Sequence, residues 1–62
     1  RREIRRDLIQ LRADNPDMDD EEFKAFATKE LEEDYGSIDP DNLRMILDFI
    51  KELLPLILDL FT

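Results

Sequence analysis

The 62-residue sequence contains no cysteine, no histidine and no tryptophan, and only one glycine, Gly36. Each absence excludes something. Without cysteine no disulfide can brace the chain, and without cysteine or histidine a structural zinc site has lost its usual ligands. The same gaps remove the commonest catalytic bases and nucleophiles. One serine, Ser37, and two threonines, Thr28 and Thr62, remain, with no base motif near any of them. No enzymatic activity and no cofactor are expected. At this length the chain makes a single domain, residues 1–62, whose core seldom supplies more than about 3–5 kcal/mol. Small domains usually add a disulfide, a metal or a partner subunit; with the first two set aside, oligomerisation is left.

Long apolar runs are missing too. A membrane span needs about 18–20 mostly apolar residues. Between Leu43 and Phe61 stand Arg44, Asp48, Lys51, Glu52 and Asp59, with Pro55 among them. The longest uncharged run there, Leu53 to Leu58, has six residues. The N-terminus lacks the apolar stretch of a signal peptide. The expectation is a soluble, cytoplasmic protein, and because the chain opens on Arg1 rather than Met, a piece of a longer one.

Acid is what the chain has in excess. Seventeen Asp and Glu against nine Lys and Arg give a net charge of -8. The distribution is uneven. Residues 1–13 hold five Arg against Glu3 and Asp7, residues 14–42 hold twelve acids against Lys24 and Lys29, and residues 43–62 are nearly balanced. Such asymmetry marks an interaction surface, or segments that complement one another.

Three helices are expected, over about residues 2–13, 19–35 and 39–61. In the first, Ile4, Leu8 and Leu11 fall on one face at i, i+4 and i+7. Asp14-Asn15-Pro16-Asp17 then stops it, because the residue before a proline is steered away from the α region. The second helix opens on "MDDEEF". With Asp19 as N-cap, Glu22 completes a capping box, and Met18 and Phe23 have the spacing of a hydrophobic staple. Asp20, Glu21 and Glu22 suit the positive end of the helix dipole. Its buried stripe is Phe23, Phe26, Ala27 and Leu31 with Tyr35 at the end, and Gly36 has the position of a left-handed C′ residue. For the third, Asp39 is the expected N-cap, Pro40 suits N1, and Ile38 can staple to Leu43.

The third helix is the apolar one. With Leu43, Ile50 and Ile57 at heptad position a, position d holds Ile46, Leu53 and Leu60, and position e holds Leu47, Leu54 and Phe61. Position g holds Asn42, Phe49 and Leu56, while Met45 and Leu58 widen the arc further. The polar side carries Arg44 and Lys51 at b, Glu52 and Asp59 at c, Asp48 and Thr62 at f. This arc is wider than the seam of a two-stranded coil and leans toward more strands. A bland reading makes it the central helix of a three-helix fold. Two short helices with three or four large core residues each are too few to cover thirteen apolar side chains, and exposing several risks aggregation. The expected oligomer interface is Leu43, Ile46, Leu47, Phe49, Ile50, Leu53, Leu54, Leu56, Ile57, Leu60 and Phe61. Pro55, at f, removes the hydrogen bond to the Lys51 carbonyl on the polar side, so the helix either kinks there or breaks at Leu54.

Other chemistries fit less well. The stretch "DNPDMDDEE" is rich in oxygen ligands, but an EF-hand loop counted from Asp17 would place Glu22 where glycine belongs and Thr28 where glutamate belongs. No metal site is expected. The start "RREIRR" could hold phosphate, with Arg2 and Arg6 away from the apolar face and Arg5 and Arg12 at its flank. The acidic remainder would repel a nucleic acid, so pairing with the acidic middle segment is the better account. A membrane-surface helix, the less favoured alternative, would want a basic polar face, whereas here Arg44 and Lys51 stand against Asp48, Glu52 and Asp59. The sequence therefore reads as an all-α protein-interaction or self-assembly module that forms a homo-oligomer through its last helix. The alternative is an acidic polyanion mimic that uses Asp20, Glu21, Glu30, Glu33 and Asp34 against a basic protein.

Overall fold

In the computed structural model, residues 3–61 are described. They form α1 (Ile4–Asp14), α2 (Asp20–Ile38), a 3₁₀ turn (Pro40–Asn42) and α3 (Leu43–Leu60). There is no strand among the described residues. The expected start of the first helix at Arg2, and the place of Arg2 and Thr62 on polar faces, lie outside them. The long helices α2 and α3 pack on each other, and α1 packs on both.

The α2 start follows its local chemistry. The Glu22 amide donates to Asp19 Oδ1 at 2.8 Å and the Asp19 amide donates to Glu22 Oε1 at 3.2 Å, which closes the capping box. Two otherwise orphaned amides are thereby satisfied. Phe23 is fully buried, and Met18 is half-buried against the same core. At the end of α1 the Asn15 side-chain amide donates to the Leu11 carbonyl at 2.9 Å, which satisfies one of the last free acceptors before Pro16.

The other end of α2 differs from expectation. Gly36 does not turn left-handed; α2 runs through it to Ile38. The chain turns at Asp39 instead, where Pro40 forbids a further helical residue. The Asp39 amide still donates to the Tyr35 carbonyl at 2.7 Å, completing the last turn. Asp39 then caps the 3₁₀ turn rather than α3 itself. Its carboxylate accepts from the Asn42 side-chain amide at 3.0 and 3.1 Å, and α3 starts four residues later than position 39. Ile38 stays mostly exposed, so the expected staple to Leu43 does not bury it. A Cβ on Gly36 would meet only Leu43 Cδ2 at 3.6 Å, an ordinary contact. Gly36→Ala is therefore expected to stabilise the protein by about 0.5–1 kcal/mol, read from the midpoint of urea unfolding, because glycine in a helix interior costs that much relative to alanine.

Pro55 does not break the last helix, which continues through it to Leu60. Pro55 is exposed, so water can reach the carbonyl that its missing N–H leaves free.

The core is one cluster: Leu8 from α1, Phe23, Ala27, Leu31 and Tyr35 from α2, and Ile50, Leu54, Ile57 and Leu58 from α3. Phe26, expected in the buried stripe, is only half-buried. Tyr35 keeps its ring in the core and donates its hydroxyl to Asp7 Oδ2 at 3.2 Å, which ties α2 to α1. No buried side-chain polar atom among the described residues lacks a partner.

Candidate functional site

The three-helix core draws on one part of the apolar arc of α3 and leaves the other part outside. At 3.6 residues per turn, Leu43, Leu47, Ile50, Leu54, Ile57 and Leu58 lie along one stripe, and Ile46, Phe49, Leu53, Leu56 and Leu60 along another, roughly 110° away. The first stripe is the subunit's own core: Ile50, Leu54, Ile57 and Leu58 are buried, and Leu43 and Leu47 pack against them. In the second, Phe49, Leu56 and Leu60 keep 48, 60 and 68 % of their surface exposed, while Ile46 and Leu53 are half-buried at its inner edge.

The outer stripe has a specific rhythm. From Ile46 its members follow at steps of three, four, three and four residues, the spacing of a coiled-coil seam. In the heptad frame above they are the d and g positions. Of the expected interface, Ile50, Leu54 and Ile57 are thus consumed inside the subunit, and Leu43 and Leu47 are largely so. Phe49, Leu56 and Leu60 remain exposed, while Ile46 and Leu53 are half-buried against the core, as Leu43 and Leu47 are. Phe61, one residue past the end of α3, is half exposed but points away from this stripe by helical register. Periodicity alone does not separate the two stripes. The 3-4-3-4 spacing was legible, but so was the competing a/e pattern, and only the seating of α1 and α2 chooses between them.

Met45, 69 % exposed, lies on the solvent side of the seam and extends it. With large side chains presenting on the order of 150–250 Å² each when fully exposed, the patch offers roughly 500 Å² of apolar surface. That is near the largest patch an ordinary monomer shows.

The acidic residues are distributed differently. Asp20 lies 3.9 Å from Arg12 Nη2, and Glu21 pairs with Lys24 at 3.3 Å. Glu21 lines an open groove of about 550 Å³ between α2 and α3. Glu30 and Asp34 line a smaller groove between α2 and α1, and Glu33 is exposed. These five carboxylates therefore do not share one face. The larger groove also collects all three lysines of the chain, Lys24, Lys29 and Lys51, together with Glu32. Two carboxylates among three ammonium groups leave little net field for an anion. Among the described residues no group of three or more acidic side chains is placed to hold a metal ion, and no helix is long and apolar enough to cross a membrane.

The first helix contributes a part-buried cation, Arg12, to the acidic segment. Arg12 reaches across the α1–α2 turn, donates from Nη1 to the Met18 carbonyl at 2.8 Å and the Asn15 carbonyl at 3.3 Å, and covers the Phe23 ring at 5.2 Å. Arg5 and Arg6 stay exposed on α1.

No protein-family model, no curated protein and no solved structure matches the chain.

Proposed function

We propose that the protein is a self-assembly module in which a second copy of the same chain covers the outer stripe of α3. The observation that carries this reading is the 3-4-3-4 row Ile46, Phe49, Leu53, Leu56, Leu60, of which Phe49, Leu56 and Leu60 are exposed and Ile46 and Leu53 half-buried, on a helix whose other apolar face is already packed. A seam with heptad spacing is self-complementary, because each side chain fits a hole made by four residues of an identical helix. The area agrees. A standard interface buries about 800 Å² per partner, of which somewhat over half is apolar, close to the roughly 500 Å² that the stripe offers. The remaining breadth of the arc belongs to the subunit itself, so two chains suffice.

The experiment is absolute mass by light scattering behind a sizing column, on wild type and Leu56→Asp across a wide concentration range. Wild type is expected at twice the 7.4 kDa of one chain. Leu56→Asp is expected at the single-chain mass with its helicity retained. Each dimer would lose two leucine contacts and gain two facing carboxylates, which should weaken association by about 100-fold or more. A wild type that stays at 7.4 kDa at the highest concentration overturns the proposal.

A further inference from the structure

Resting on that reading, we infer that ionic strength controls the pairing: the negative charge of each copy, and above all Glu52 at the border of the seam, holds two copies apart in dilute salt and lets them pair once dissolved cations screen it. The seam is apolar, but its surroundings are not neutral. Glu52 is exposed and lies three residues after Phe49 and four before Leu56, so it neighbours both on the helix surface. The bases of α3 are turned elsewhere. Lys51 lines the groove shared with α2, and Arg44, seven residues earlier, follows the same row. Among the described residues the ion pairs join Arg12 to Asp20 and Lys24 to Glu21, and Glu52 belongs to neither. The border of the seam therefore carries a charge that no ion pair within the described subunit offsets.

The whole chain adds to this local charge. Each copy carries a net charge of -8, so pairing brings two strongly acidic bodies together. A net charge far from zero keeps proteins apart, and like charges set across an interface oppose it. The reach of that opposition depends on salt. Bodies measuring 34 × 20 × 16 Å that lie side by side have centres roughly 16–20 Å apart. The screening length is about 30 Å at 0.01 M salt, longer than that separation, and about 8 Å at 0.15 M, less than or about half of it. The apolar contact of the seam does not change in the same way over this range, so salt acts on the term that opposes pairing.

The test is the dimer dissociation constant, from light-scattering mass over a concentration series at pH 7 in 0.01 and 0.15 M NaCl. Three chains are compared: wild type, Glu52→Lys and Glu33→Lys. Glu33 is exposed on α2, away from the seam, and either variant moves the net charge from -8 to -6, since one negative charge is lost and one positive gained. Wild type is expected to bind at least about ten-fold tighter in the higher salt. In 0.01 M NaCl, Glu52→Lys should bind at least about ten-fold tighter than wild type, and Glu33→Lys should gain less than about a third as much, because the repulsion is strongest beside the contact. Equal gains from the two variants would overturn the role of Glu52. A wild-type constant that is unchanged or weaker at 0.15 M overturns the control by salt and leaves the seam standing. Single-chain mass in both salts at the highest concentration overturns the seam itself.

Discussion

Ile50→Asp is expected to unfold the chain rather than merely dissociate it. Ile50 has no exposed surface and lies among buried side chains of all three helices. The substitution removes the burial of a large aliphatic group and leaves a cavity, at about 2–5 kcal/mol. It also places a carboxylate where no hydrogen-bond donor is waiting, which costs several kcal/mol more while the group is charged. A core that supplies about 3–5 kcal/mol cannot absorb both. The measurement is far-ultraviolet circular dichroism with a thermal scan. Loss of most helical signal at 25 °C is the expected result, while Ile50→Val should stay folded and lose only about 0.5–1.5 kcal/mol. Set beside Leu56→Asp, six residues further along the same helix, the contrast is diagnostic: the same new charge unfolds the protein on the inner stripe and only separates the subunits on the outer one. A variant Ile50→Asp with wild-type helicity and a cooperative melt would mean that α3 presents a different face to α1 and α2.

Arg12→Ala is expected to be the most damaging single change outside the apolar core. The guanidinium satisfies two carbonyls of the turn between α1 and α2 and covers the ring of Phe23, while its side chain keeps only 13 % exposure. Hydrogen bonds to a charged donor contribute about 1.5–3 kcal/mol, and the ring contact adds roughly 0.5–1. The pair with Asp20 adds little, because that carboxylate is mostly in water and 3.9 Å away. Together these predict a loss of about 2–4 kcal/mol in urea unfolding, half or more of the core's own contribution. Arg12→Lys should recover less than half of it, since one ammonium group can neither bridge both carbonyls nor lie flat on the ring. If Arg12→Ala lost less than about 0.5 kcal/mol, the range of an ordinary surface substitution, the turn would be shown to hold without the bridge.

The value of Arg12 was not legible from its spacing. In the sequence it is one of five arginines in a basic segment, at the flank of an apolar face, and pairing with the acidic middle segment is as far as charge takes it. That its main partners are two backbone carbonyls and an aromatic ring depends on how the turn at Asn15 to Met18 folds back. Gly36 carried the opposite lesson. A lone glycine near a helix end reads as a stop, yet Pro40, four residues on, sets the boundary, and the glycine remains helical.

What the sequence determined by itself was local. The helix start at Asp19, the stop before Pro16, the acidic first turn of α2 and the α-class of the fold all rest on interactions that reach no further than a turn or two. Those signals survive whatever the rest of the chain does. The division of the α3 arc is of another kind. Both stripes are apolar and both have helical periodicity, so nothing within residues 43–60 says which belongs to the subunit and which is left outside. The angle at which α1 and α2 settle on α3 decides it, because burial is a property of three surfaces packed together and not of one helix alone.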